Sequence, residues 1–250
     1  MPISACKLAR YGSLLSALTV SGLGLAASPP VPTNGVGGVI ELFTSQGCSS
    51  CPPADRLLST MAGDPSLVAL SFPIDYWDFI GWKDTLASPA FTARQKAYAA
   101  ALGEGRVYTP EAIVDGLYDA VGSDKGAIDH AVKIGKGSKG ALSVPVQLRE
   151  SGGILQIDIG AGSNTPAGIY VLRVAKSSTV VISRGENSGR SVTYTDVVRA
   201  MHKVGEWNGK PESLELTELK SDGEGYVVLV QQGSEQNPGA ILAAAKGLGL

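Results

Sequence analysis

Apolar residues in this chain are spaced in three different ways, and each spacing predicts a different kind of element. Val39-Ile40-Glu41-Leu42-Phe43 and Leu67-Val68-Ala69-Leu70-Ser71-Phe72-Pro73-Ile74 are almost unbroken apolar runs. Such runs suit strands buried on both faces of a parallel sheet, and they predict strands over 39–44 and 67–74. Between them, Pro52-Pro53 opens a helix over about 52–63, and Gly63-Asp64-Pro65 closes it. A second helix starts at Ser88, a capping residue, with Pro89 in its first turn. Phe91, Ala97, Tyr98 and Leu102 supply its apolar contacts before Gly103 stops it.

After Gly105 the period shortens. Val107-Tyr108-Thr109-Pro110 leads into Ala112–Val121, two short strands joined by the turn pair Asp115-Gly116. Ser123 and Asp124 then cap a third helix, carried by Ile128, Val132 and Ile134 as far as Gly135 and Gly137. From Ala141 onward, short alternating strands are predicted over 142–149, 153–159, 168–174, 178–183, 191–198, 213–219 and 225–231. Turns rich in Gly, Asn, Ser and Pro separate them, as in an antiparallel sandwich or a sheet packed on the first part. The tail Pro238–Lys246 fits either a short helix or a last strand.

The N-terminus is a different kind of segment. Lys7 and Arg10 precede an apolar stretch from Leu14 to Ala27 that is broken by serines, Thr19 and glycines, and small residues end it at Ala26, Ala27 and Ser28. That is the pattern of a secretory signal over 1–28, more interrupted than a membrane span; Pro29 and Pro30 just behind the small residues leave an uncleaved anchor as the alternative. Residues 29–38, rich in Pro and Gly, read as a linker. Folded chain then begins at Val39, with a first domain over 39–138 and a β-rich region over 139–250. The expected location is periplasmic or secreted, with no stable membrane span after cleavage.

Composition narrows the partners. Of 250 residues, 44% are hydrophobic, enough for a substantial core, and 21 basic residues stand against 23 acidic ones. Loss of Lys7 and Arg10 with the signal leaves 19 basic residues and a net charge near −4. Nucleic acid is excluded as a partner, since no basic run provides a positive face. Cys6 leaves with the signal as well, so Cys48 and Cys51 remain as a pair in an oxidising compartment.

That pair carries the chemistry. Cys48-Ser49-Ser50-Cys51 lies where a strand gives way to a helix, and the partial positive charge of a helix N-terminus favours thiolate over thiol. Cys48 is then the attacking thiol, and Cys51 resolves the mixed disulfide. The expected partners are protein thiols or disulfides. His130 and His202 fall outside this neighbourhood, so neither a structural zinc site nor a bound cofactor is expected.

The order strand, Cys-x-x-Cys, helix, strand, helix, hairpin, helix resembles the thioredoxin fold. This resemblance implies an α/β class, a thioredoxin-like domain followed by a mostly antiparallel β region. It also implies a cis bond between Thr109 and Pro110 beside the dithiol, with the Thr109 backbone offered to an incoming peptide; the alternative is an ordinary turn proline. Thioredoxins carry a buried acid on the first strand, six residues before the first cysteine. Glu41, seven residues before Cys48, is either the corresponding proton relay or a structural strand residue. In the aromatic segment Asp75–Asp84, Asp75 and Trp77 are candidate substrate contacts, the alternative being rings that fill the core. Arg184-Gly185-Glu186-Asn187-Ser188-Gly189-Arg190 reads as an ion-pair turn or an anion clamp. Asp55 reads as an acid that supports the first turn of the Cys helix.

A closer resemblance rests on the string Glu41–Asp55 together with Asp75-Tyr76-Trp77-Asp78, Gly81-Trp82-Lys83-Asp84, Phe91-Thr92-Ala93-Arg94-Gln95 and Arg184–Arg190. These are similar to the hallmarks of a secreted bacterial family catalogued as domain of unknown function 1223. That family implies export but brings no established reaction. Three functions therefore stand: a thiol–disulfide oxidoreductase or redox partner, a copper-binding protein using the same two thiolates, and an adaptor with a structural disulfide. The lack of Met-rich or His-rich tracts weighs against copper, and the helix-start position of the pair weighs against an inert bond.

Overall fold

The computed structural model describes residues 35–217, 221–247 and 249–250. The predicted signal over 1–28 and most of the linker lie outside the described residues. Through the third helix the order follows the sequence pattern: β1 (Gly38–Thr44), α1 (Pro52–Ala62), β2 (Leu67–Pro73), α2 (Pro89–Leu102), β3 (Glu111–Val114), β4 (Tyr118–Val121) and α3 (Lys125–Gly135). The punctuation works as its chemistry dictates. Ser88 Oγ accepts the Ala90 N–H at 3.3 Å, Gly103 ends α2 at φ 78°, and Asp124 caps α3 by accepting the Ala127 N–H at 3.0 Å.

The second half differs more from the reading. It consists of β5 (Val146–Ser151), β6 (Ile154–Ile159), β7 (Ala167–Val181), β8 (Ser191–Trp207), β9 (Glu212–Thr217), β10 (Glu224–Ser234) and β11 (Asn237–Lys246). The strands predicted over 168–174 and 178–183 are one strand of 15 residues, because Lys176-Ser177-Ser178 is polar but contains no Gly, Pro or Asn to break the extended backbone. β8 runs nine residues past its predicted end, and the ambiguous tail is a strand.

Eight strands form a single mixed sheet in the order β11-β10-β7-β8-β2-β1-β3-β4, and β5-β6-β9 form a second sheet. β1 pairs parallel to β2 and antiparallel to β3. The halves join where Ser71 of β2 bridges Val197 of β8, and the Ser71 hydroxyl donates to the Thr195 carbonyl at 2.9 Å. The predicted α/β class, a thioredoxin-like domain followed by a mostly antiparallel β region, is therefore corrected. Among the described residues eleven strands stand against three α-helices, and the large sheet runs across the expected boundary at 138/139. The physical reason is that β8 adds to the exposed edge of β2. Strands read as a region of their own thus extend the first sheet.

Alternation along the strands sorts the core into layers. On β1, Val39 and Phe43 pack toward α2 with Phe72, Phe91 and Tyr98, whereas Ile40 and Leu42 pack toward α1 and α3. On β7, Tyr170 and Leu172 share the α2 face, while Ile169 and Val171 pack with Leu155, Ile157 and Trp207 against the small sheet. One face of the large sheet thus carries α2, and the other carries α1 and α3 beside the three-stranded sheet.

Candidate functional site

The site grows from the end of β1. Past Thr44 the chain turns through Ser45-Gln46-Gly47 and reaches Cys48, whose N–H donates to the Ser45 carbonyl at 3.2 Å. Cys51 is the N-cap residue of α1, and its carbonyl accepts the N–H groups of Ala54 and Asp55. Cys48 and Cys51 form a disulfide with their Cα atoms 5.4 Å apart. Both residues are buried, at 1% and 0% exposure, while Ser49 and Ser50 face solvent.

Thr109 and Pro110 arrive beside this loop from the start of β3, and the peptide bond between them is cis. The Ser50 hydroxyl donates to the Thr109 carbonyl at 3.4 Å and lies 3.3 Å from Cys48 Sγ. Trp77 belongs to the same group, because its indole Nε1–H donates to Thr109 Oγ1 at 2.8 Å. The exposed Phe79 ring stacks on Trp77 with centroids 6.2 Å apart. Cys48, Cys51, Thr109, Pro110 and Trp77 are thus one neighbourhood, drawn from three stretches of chain.

Asp75 and Glu41 point elsewhere. The carboxylate of Asp75 accepts the Thr92 hydroxyl of α2 at 2.6 Å. Glu41 is fully buried on the α2 face of β1, where Arg94 holds it with two bonds of 2.6 and 2.9 Å and the Tyr98 hydroxyl donates at 2.7 Å. Gln231 of β10 closes the network by accepting from Arg94 at 2.9 Å and donating to the Tyr98 oxygen at 2.7 Å. This is an ion-paired brace between β1, α2 and β10, on the opposite face of the sheet from α1.

Three buried side chains that the sequence reading did not single out shape the Cys loop. Gln46 accepts from Trp82 Nε1 at 2.8 Å, and its backbone N–H donates to Asp84 at 2.7 Å. Asn187 reaches across from the 184–190 loop and donates to the carbonyls of Gln46 and Cys48 at 2.9 and 2.8 Å. In sequence the loop stands out for its two arginines, yet its asparagine makes the contact. The signal available in sequence was only that a short polar amide sits between two glycines, which does not say what it meets.

Asp55 lies on α1 one turn after Cys51. Its Oδ1 accepts the Thr44 hydroxyl at 2.7 Å, and its Oδ2 is buried without a partner. Burial pushes this carboxyl up to about 7, with Asp84 adding to the rise and the Thr44 hydrogen bond and Arg56 opposing it. Burial raises Asp84 as well. Beside Asp55 a cleft of about 520 Å³ opens between α1 and the start of β8, lined by Pro52, Asp55, Arg56, Ser59, Arg190 and Thr193. Among the described residues no three His, Cys, Asp or Glu side chains cluster as a metal-binding set, and no helix is long and apolar enough to cross a membrane.

Comparison with known proteins adds a family and a relative. Residues 39–231 match the family described as "Protein of unknown function (DUF1223)". The crystal structure of protein AGR_C_4864 from Agrobacterium tumefaciens is 38% identical with a TM-score of 0.78, over 86% of this chain and 95% of that one. HBP35 of Porphyromonas gingivalis shares the fold, with a TM-score of 0.60 at 13% identity over 84% of this chain and 74% of that one. None of the curated proteins compared matches the chain. With a match that begins at β1 and ends in β10, and a relative 38% identical along nearly its whole length, the protein belongs to the DUF1223 family.

Proposed function

We propose that this protein is an exported thiol–disulfide exchange protein in which Cys48 is the attacking thiol and Cys51 the resolving one. The observation that carries this reading is the disulfide seated on the N-terminus of α1 with the Thr109 carbonyl beside it. A helix N-terminus stabilises a thiolate formed there, and the backbone before Pro110 offers an acceptor to an extended peptide lying along the pair. Trp77 and Phe79 give the same edge an apolar wall. Protein thiols or disulfides are the partners. The charged start and apolar stretch of residues 7–27 support export, where a disulfide of this kind persists.

A second reading, a permanently closed structural bond, is favoured by one observation, the burial of both cysteines beneath the Asn187 loop. The two readings separate in one experiment. The reduction potential is measured against glutathione, and Cys51→Ser is used to trap an adduct with a disulfide-bonded peptide. Exchange predicts an adduct on Cys48 and a potential above about −300 mV. A lower potential with nothing trapped assigns the bond to structure alone.

A further inference from the structure

Asp55 is a buried acid with no structural use for its second oxygen. It is 3% exposed, and Thr44 satisfies Oδ1 but nothing satisfies Oδ2. An ionised carboxylate held that way is costly, so the group keeps a proton readily or passes it on. Cys51 has helical backbone angles, φ −76° and ψ −35°, so Cys51 and Asp55 are related as i and i+4 on one helix. Side chains so related are neighbours, with Cβ atoms about 5–6 Å apart. Glu41 lacks both properties, since its oxygens are engaged by Arg94 and Tyr98 on the other face of the sheet.

The charged and titratable groups facing Asp55 come from every element around it. Arg56 lies on its own helix, Asp84 precedes α2, Tyr194 belongs to β8, and Arg190 ends the 184–190 loop across the cleft. The two arginines line the cleft with Asp55, which gives a proton leaving the carboxyl a polar way out.

We propose that Asp55, not Glu41, accepts the proton of the Cys51 thiol during exchange, and that the cleft between α1 and β8 is the route by which this proton reaches water. This rests on the reading of Cys48–Cys51 as an exchange centre. In the oxidising half-reaction, Cys48 thiolate attacks a substrate disulfide, forming a mixed disulfide and releasing one substrate thiolate. The Cys51 S–H then gives its proton to Asp55, and Cys51 thiolate attacks Cys48 Sγ. The Cys48–Cys51 bond forms, the mixed bond breaks, and a second substrate thiolate leaves. The substrate gains the two electrons that the dithiol loses, and the proton held by Asp55 passes through the cleft to solvent. A carboxyl raised to about 7 is matched to this transfer near neutral pH.

The test uses the reduced full-length protein with oxidised glutathione as probe. The rate at which the Cys48–glutathione adduct closes to the intramolecular disulfide is followed from pH 5 to pH 9. Asp55→Asn resembles the protonated acid in shape and still accepts from Thr44, so it is expected to fold. At pH 7 it should close the bond at least about tenfold more slowly than wild type, with the two rates converging at pH 9, where solvent removes the thiol proton directly. Wild-type rates for Asp55→Asn at every pH overturn the inference alone. Failure of wild type to form or close the adduct overturns the exchange reading, and this inference with it. If the variant does not fold, carboxyl carbon NMR of wild type decides. The Asp55 titration midpoint should differ between oxidised and reduced protein, and equal midpoints overturn the proposal.

Discussion

Glu41 shows how one position in a strand changes a residue's occupation. Side chains on a strand alternate faces, so an acid seven residues before Cys48 and one six before it emerge on opposite sides of the sheet. The face toward α1 is taken by Ile40 and Leu42, and Glu41 goes to the α2 face, where Arg94, Tyr98 and Gln231 enclose it. Its consequence is for stability. Glu41→Ala strands a buried guanidinium and is expected to cost about 3–5 kcal/mol in urea unfolding. A double-mutant cycle with Arg94→Ala should show coupling above about 1 kcal/mol. Additive losses would mean that the pair does not act as a unit. Of the residues first singled out, those next to the cysteines in sequence were legible from local chemistry. Asn187, 139 positions from Cys48, was not, because a contact across that separation leaves no mark on its local pattern.

Among the elements, the hairpin between β3 and β4 is the one whose sequence requirement is sharpest. Asp115 and Gly116 both have positive φ, 53° and 70°, as the tight turn read from Asp-Gly demands. The turn is also pinned from outside. A Cβ on Gly116 would meet the Gly239 carbonyl oxygen of β11, while Asp115 Oδ1 accepts the Val39 N–H of β1 at 2.7 Å. Gly116→Ala should therefore destabilise by roughly 2 kcal/mol or more, combining backbone strain with a clash. Gly137→Ala, at φ 75° with open space around it, should lose only the backbone part, about 1 kcal/mol. Equal losses in thermal or urea melts would show that β11 yields to the added methyl. The Asp-Gly pair announced this turn, but the strand that presses on it belongs to the other end of the chain.

Across the whole molecule, the large sheet buries acids wherever its layers meet, and this sets the pH response. Burial raises Asp55 and Glu111 to about 7, and Asp115 and Asp196 to about 6. A carboxyl raised in the folded state holds a proton that the unfolded chain releases, so the folded form binds more protons between about pH 4 and 7. Stability must then fall as pH rises through that window and level off above it. Thermal melts should give a melting temperature at pH 5 higher than that at pH 7.5 by roughly 5 °C. A melting temperature that stays level or climbs from pH 5 to 7.5 would show that the folded form holds no excess protons there, so that burial does not raise these acids. Asp55→Asn should flatten part of the slope, since an amide does not titrate.

The amino-acid sequence by itself determined the elements up to α3, their caps, the Asp-Gly turn and the pairing of two cysteines at a helix start. Each of these depends on backbone preferences and contacts within a few residues. The fold class was decided elsewhere. Strand-forming patterns in the second half state that segments will pair but not with what, and only the packed structure shows β8 joining the edge of β2 to make one mixed sheet. The same limit governs the site. Local sequence placed Cys48, Cys51 and Asp55 on one short stretch, but burial, and with it the orphaned oxygen of Asp55, is a property of everything that packs around it. Desolvation is a sum over distant neighbours, so the chemistry it sets was decided by the tertiary structure alone.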